Sequence, residues 1–115
     1  MVFGASSNPE RYSFIATNML KEFNHDIVLY GNRKGEISGT LISVELPIEK
    51  DFDTVTLYVN PKLQTDFYEF IINLKPRRVI FNPGTENAEF KNLLQQNQIE
   101  AMEACTLVML RTGQY

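Results

Sequence analysis

The sequence predicts an α/β fold, a parallel β-sheet with helices on both faces. Two observations carry this. Short β-branched runs alternate with amphipathic stretches along the 115 residues. The runs are also close to continuously apolar, as strands covered on both faces must be.

The elements follow in order. Val2-Phe3 is a short apolar run that stops at Gly4. Only three residues precede that glycine, so the first strand is short or the chain is trimmed. Ser13 to Phe23 reads as a helix capped by Ser13, with Ile15, Met19 and Phe23 stacked at i, i+4 and i+8 beside Ala16 and Leu20. Ile27 to Tyr30 reads as a fully buried second strand. Gly31 to Ser43 holds three glycines and reads as a loop, with a short strand near Thr40–Ile42. Pro47 to Lys50 reads as a brief helical turn.

Thr54 to Val59 is expected as the third strand. Asn60-Pro61 supplies the cap and first residue of a helix, whose apolar stripe is Leu63, Phe67, Phe70, Ile71 and Leu74. Lys75-Pro76 ends it. Val79-Ile80-Phe81 is the fourth strand and Asn82-Pro83-Gly84 a turn. Thr85 is expected to cap the next helix, with Glu86 and Glu89 in its first turn, favourable against the helix dipole. Phe90, Leu93 and Leu94 face inward. Ile99 to Met102 is the fifth strand, and Leu107–Leu110 is either core or a docking surface. Right-handed crossovers leave two common strand orders, 3-2-1-4-5 and 2-1-3-4-5, and in both a ligand binds beyond the carboxyl ends of the strands.

Composition narrows the function. With 11 Lys+Arg against 14 Asp+Glu, the net charge of -3 disfavours nucleic acid, which needs a basic face. A single Cys excludes a disulfide framework and a Cys-rich zinc site. No apolar run is long enough to span a bilayer, and no secretory signal opens the chain. A single cytoplasmic domain over residues 1–115 is expected, with no membrane partner.

Two loops carry the chemistry. Gly4-Ala5-Ser6-Ser7-Asn8-Pro9-Glu10-Arg11 joins the first strand to the first helix. Its glycine permits close backbone approach, its amides at a helix start favour an anion, and Arg11 suits phosphate. It is neither G-x-G-x-x-G nor a P-loop, and an ordinary capped turn is the competing reading. After the second strand, Arg33-Lys34 stands where NAD-binding proteins of this architecture place an acid against the ribose. Plain NAD is therefore disfavoured. A ribose with an added phosphate is favoured, at the 2′ oxygen in NADP or the 3′ oxygen in coenzyme A. Read alone, Arg33-Lys34 fits a solvated loop equally well.

Val-Phe-Gly-Ala-Ser-x-Asn-Pro-Glu-Arg-Tyr-Ser at positions 2–13 resembles the opening of the small stand-alone CoA-binding proteins. These are similar to the amino-terminal CoA-binding domain of the succinate–CoA ligase alpha subunit. Arg33-Lys34-Gly35-Glu36, Pro83-Gly84-Thr85-Glu86-Asn87 and Glu103-Ala104-Cys105-Thr106 extend the match over the whole chain. The resemblance implies a Rossmann-like three-layer sandwich with a five-stranded parallel sheet, order 3-2-1-4-5, binding CoA or acyl-CoA. It implies that Gly4, Ala5, Ser6 and Asn8 cradle the diphosphate, with Arg11 and Tyr12 beside them. Arg33 and Lys34 would hold the 3′-phosphate, Val59, Asn60 and Pro61 would border adenine, and Gly84 and Thr85 would lie towards pantetheine. Where many relatives carry a basic pair before Pro61, this chain has Val59-Asn60.

The ligase domain works with a phosphate-carrying histidine on another domain and with a nucleotide-binding partner subunit. Here the one histidine, His25, falls between the first helix and second strand, at the sheet edge opposite the crevice. No catalytic triad, carboxylate pair or metal set is legible. The expected function is CoA binding without catalysis by this chain alone, as carrier, sensor or redox-linked regulator. The alternatives are an NADP-binding oxidoreductase subunit and a protein-interaction domain with a vestigial nucleotide crevice. A homodimer or another protein partner is left open. Cys105, after the fifth strand, is either a redox partner of the ligand thiol or a small buried apolar residue. Met19, Met102 and Met109, with the Phe residues, read as core filler.

Overall fold

The computed structural model describes residues 1–48 and 51–115. Seven strands form one sheet: β1 (Val2–Phe3), β2 (Leu29–Tyr30), β3 (Gly35–Ile37), β4 (Thr40–Ser43), β5 (Thr54–Leu57), β6 (Arg78–Phe81) and β7 (Glu100–Glu103). Their order is β3-β4-β2-β1-β5-β6-β7, parallel throughout except for β3 against β4. The helices are α1 (Tyr12–Glu22), α2 (Pro61–Gln64), α3 (Tyr68–Leu74), α4 (Ala88–Gln96) and α5 (Thr106–Arg111), with a 3₁₀ turn at Thr65–Phe67 between α2 and α3. The α/β class is as expected, but the sheet has seven strands rather than five.

The five expected strands follow the second of the two orders read from the sequence, 2-1-3-4-5, and not the order 3-2-1-4-5 that the resemblance implies. The Thr54 strand, expected outside β2, pairs directly with β1 through Val2↔Thr56 and Phe3↔Leu57. The place beside β2 is taken by β4, with Leu29↔Ile42 and Tyr30↔Ser43. The short strand expected near Thr40–Ile42 is β4, and it pairs with the unexpected β3 in a hairpin whose turn residues Ser38 and Gly39 both have positive φ, 47° and 89°, as a two-residue primed turn requires. This edge hairpin is half-solvated, so its residues alternate: Ile37 and Ile42 are buried, Glu36 and Leu41 exposed. It lacks the continuous apolar run that marks the central strands.

Adjacent residues of one strand serve opposite faces. Phe3, Val55, Leu57, Val79 and Phe81 pack with Ile71, Leu74, Phe90 and Leu94 on the α3–α4 side. Val2, Leu29, Ile37 and Ile42 pack with Leu20 and Leu110 on the α1–α5 side. Each fully buried Phe or Leu stabilises the fold by about 1.5–3 kcal/mol.

The helices differ from expectation in several details. Arg11, not Ser13, occupies the cap position of α1, without a side-chain cap bond. The buried face of α1 is Ser13, Ala16, Thr17 and Leu20, whereas Ile15 and Phe23 are exposed. The buried face is thus three small residues and Leu20, which packs in the core on that side of the sheet. Thr17 Oγ1 satisfies itself by donating to Ser13 O at 2.8 Å. The expected helix from Pro61 is broken by the 3₁₀ turn, and Leu63 is exposed. It ends as expected at Lys75, left-handed at φ 51°, immediately before Pro76. Asn87, not Thr85, caps α4, accepting from Phe90 N at 3.1 Å. Pro47 and Ile48 are not helical, and Glu49 and Lys50 lie outside the described residues. The 107–110 segment is helical and mainly core, with Leu107, Met109 and Leu110 buried and Val108 exposed. Among the described residues no helix is long and apolar enough to cross a membrane.

Candidate ligand crevice

Because β1, β2, β4, β5, β6 and β7 run parallel, the loops at their carboxyl ends gather along one rim of the sheet. Three glycines bring these loops into contact. Gly4 has φ 101°, and a Cβ there would lie 2.9 Å from both the Tyr58 carbonyl carbon and Val59 Cγ2. A Cβ on Gly31 would overlap the Ala5 carbonyl oxygen. A Cβ on Gly35 would stand 3.0 Å from Ser7 Cβ. The loop after β1 therefore touches the one after β5 on one side and the one after β2 on the other.

The first loop is built by its own polar groups. Gly4 and Ala5 N–H both donate to Tyr30 O, each at 2.8 Å. Their amides are committed to the fold. The amides of Ser6 and Ser7 make no hydrogen bond among the described residues, so these two are the ones free to meet an anion. Ser6 Oγ accepts from Asn8 N at 3.1 Å, Asn8 Oδ1 accepts from Glu10 N at 3.0 Å, and Arg11 N donates to Asn8 O at 3.0 Å. Ser6 and Asn8 thus shape the turn, and Arg11 follows it exposed, leading into α1. Tyr12 is 71% exposed at the helix start.

Arg33 and Lys34 are exposed and form no ion pair among the described residues. The Gly35–Ser7 contact holds this pair beside the first loop. A groove of about 710 Å³ opens there between Lys34–Glu36 and Leu41–Glu45. Ser43 Oγ shapes its far wall, accepting from Glu45 N at 3.2 Å and donating to Glu45 O at 2.7 Å.

On the other side, Asn60 caps α2 through Oδ1 and Leu63 N at 3.2 Å, as the sequence predicts. Gly84 is exposed with φ 92°, and its N–H donates to the Glu86 carboxylate at 2.9 Å. Thr85 is buried, its Oγ1 donating to Asn82 O at 2.8 Å. Asn82 is itself buried and ties three elements together. Its Nδ2 donates to Thr56 Oγ1 at 2.6 Å and Leu57 O at 2.9 Å, while Oδ1 accepts from Thr106 N at 2.9 Å. Cys105 is half-buried immediately before α5. Beside it lies Tyr58, whose hydroxyl is pushed up to about 12 by burial. The Thr106 and Thr56 hydroxyls offset this only in part. They bond one another at 2.8 Å, and neither reaches Tyr58 Oη with hydrogen-bond geometry.

His25 is exposed, its ring 4.8 Å from that of Tyr115. It precedes β2, at the rim opposite the crevice. Sequence reasoning gives no site role to Gly31, Gly35, Tyr58, Gln64, Asn82 or Asn87, although Gly35 and Asn87 stand in the motifs of the resemblance and Asn82 opens an expected turn. The four side chains act through contacts between distant elements, which no local pattern marks.

Free amides, close backbone approach and an unpaired cation pair on one rim fit a phosphorylated nucleotide. The fold recurs in solved structures. A crystal structure described only as that of an uncharacterized protein is 46% identical, with TM-score 0.97 over 99% of this chain and 94% of that one. A hypothetical protein from Pyrococcus horikoshii is 25% identical, with TM-score 0.85 over 96% and 80%. A Thermus thermophilus protein shares the fold at 19% identity, with TM-score 0.87 over 99% and 87%. No curated protein matches the chain. The model of one family, described as CoA binding domain, matches residues 1–111, and the chain belongs to that family.

Proposed function

We propose that this domain binds coenzyme A or an acyl-CoA and catalyses no reaction on its own, serving as a cytoplasmic carrier, sensor or redox-linked regulator. Family membership supports the ligand class. The single observation that supports the binding mode is that Arg33-Lys34, without an ion pair among the described residues, directly precedes Gly35, which packs against Ser7 of the first loop. Two adjacent cations favour a phosphate ester on the ribose.

In this reading the Ser6 and Ser7 amides, with Arg11, take the diphosphate. Gly4 and Ala5 give the loop its shape, and Ser6 and Asn8 brace it. Tyr12 stands beside the diphosphate. Arg33 and Lys34 take the 3′-phosphate. Val59, Asn60 and Pro61 border adenine, while Gly84 and Thr85 lie along pantetheine. Bound CoA would supply a thiol or thioester, and the chain would bind and orient it.

A thermal-shift panel tests this. A ligand at 100 times its Kd adds about 2.7 kcal/mol, several degrees in Tm for a domain of this size. CoA and acyl-CoA should shift Tm more than dephospho-CoA, and NAD should not shift it. A larger shift with NADPH than with CoA would favour an oxidoreductase subunit instead. No shift with any nucleotide would leave the interaction-domain reading.

A further inference from the structure

We propose that Gln64 is a positioning residue that locks the two loops flanking the crevice to one another, so that a ligand spanning both binds as one unit. This rests on the CoA reading above. Gln64 is 1% exposed, unusual for an amide side chain unless it is fully bonded. Its Nε2 donates to Val59 O and to Thr85 O, each at 2.8 Å. Both protons are thereby used. Oε1 accepts from Asn87 Nδ2 at 3.0 Å. Asn87 Nδ2 also donates to Tyr68 Oη at 2.8 Å, and Asn87 Oδ1 is the α4 cap.

Val59 follows β5 and Thr85 follows β6. The two strands are paired only as far as Leu57↔Phe81. Beyond that point Gln64 is the one side chain, among the described residues, that bonds both loop backbones. Each loop has its own anchor as well. Val59 packs against Gly4, and Thr85 bonds Asn82. Asn82 still ties the base of the second loop to β5 through Thr56 Oγ1 and Leu57 O, so removing the amide leaves each half-site in place and loosens the spacing between Val59 and Thr85. A ligand touching only one loop keeps its affinity, and a ligand spanning both loses the advantage of a fixed geometry.

Calorimetry with CoA and with 3′,5′-ADP on the full chain reads this directly. Gln64→Met should lower CoA affinity about tenfold, the loss of a buried bonded group. It should leave 3′,5′-ADP within about twofold. Asn87→Ser keeps an α4 cap oxygen but removes the donor to Oε1, so it should lower the same ratio by less. It also decides the matter if Gln64→Met does not fold. Equal losses for both ligands, or an unchanged ratio in the folded variants, overturn the inference while leaving the CoA reading intact. A wild-type protein that binds neither ligand overturns both.

Discussion

Gly31 lies so close beneath Ala5 that a Cβ at position 31 would overlap the Ala5 carbonyl oxygen, with Ile42 Cγ2 3.0 Å away. The contact joins the ends of β2 and β1, and the Gly31 amide is itself fixed by donating to Ser43 O at 3.0 Å. Backbone cannot yield as a side chain can. Gly31→Ala should therefore destabilise the domain by about 2 kcal/mol or more, measured as a lowered urea midpoint with an unchanged slope. A midpoint equal to wild type would show that the two loops have slack.

Asn82 is the second structural anchor. A leucine of similar volume would leave Thr106 N and Leu57 O without their side-chain partner. Each buried unpaired group costs about 1–3 kcal/mol. Asn82→Leu should lower stability by about 3 kcal/mol and raise amide exchange in the first turn of α5, because Thr106 N is the group released. Unchanged protection at Thr106 would mean that the helix start is held by something else.

The legible part of this fold was the part made of continuous apolar runs and local caps. Val79–Phe81, Asn60-Pro61 and Lys75-Pro76 each announce themselves within a few residues. Of the β3–β4 hairpin only β4 did, as the short strand expected near Thr40–Ile42; the edge strand β3 did not, since an edge strand needs only alternate residues buried, and Ile37 alone supplies them there. The hairpin's insertion beside β2 also explains why the strand order is not 3-2-1-4-5. The face of α1 was misread because Ile15, Met19 and Phe23 outweigh Ser13 and Thr17 in apolarity. Helix packing nonetheless selected the small residues. At the crevice, the phosphate loop and the cation pair were visible as motifs. The bracing by Gln64, Asn82 and Asn87 was not, because hydrogen bonds across 21 to 26 positions leave no spacing to read.

Cys105 is half-buried at the crevice rim. Under the CoA reading its thiolate would attack one sulfur of CoA disulfide, break the S–S bond and release one CoA thiolate. The product is a mixed disulfide on the protein. Intact mass after incubation with CoA disulfide should show one reducible adduct that is absent from Cys105→Ser. No adduct, or an adduct that survives the substitution, would remove the redox role and leave Cys105 as packing.

The most direct test of the account is calorimetric titration of CoA against dephospho-CoA, in wild type and in the Arg33→Ala, Lys34→Ala double variant. Charge-assisted bonds to a phosphate contribute about 1.5–3 kcal/mol, so wild type should prefer CoA by at least about tenfold, and the double variant should bind both ligands alike. Equal affinity for the two ligands in wild type, or a preference that persists without the two cations, would contradict it.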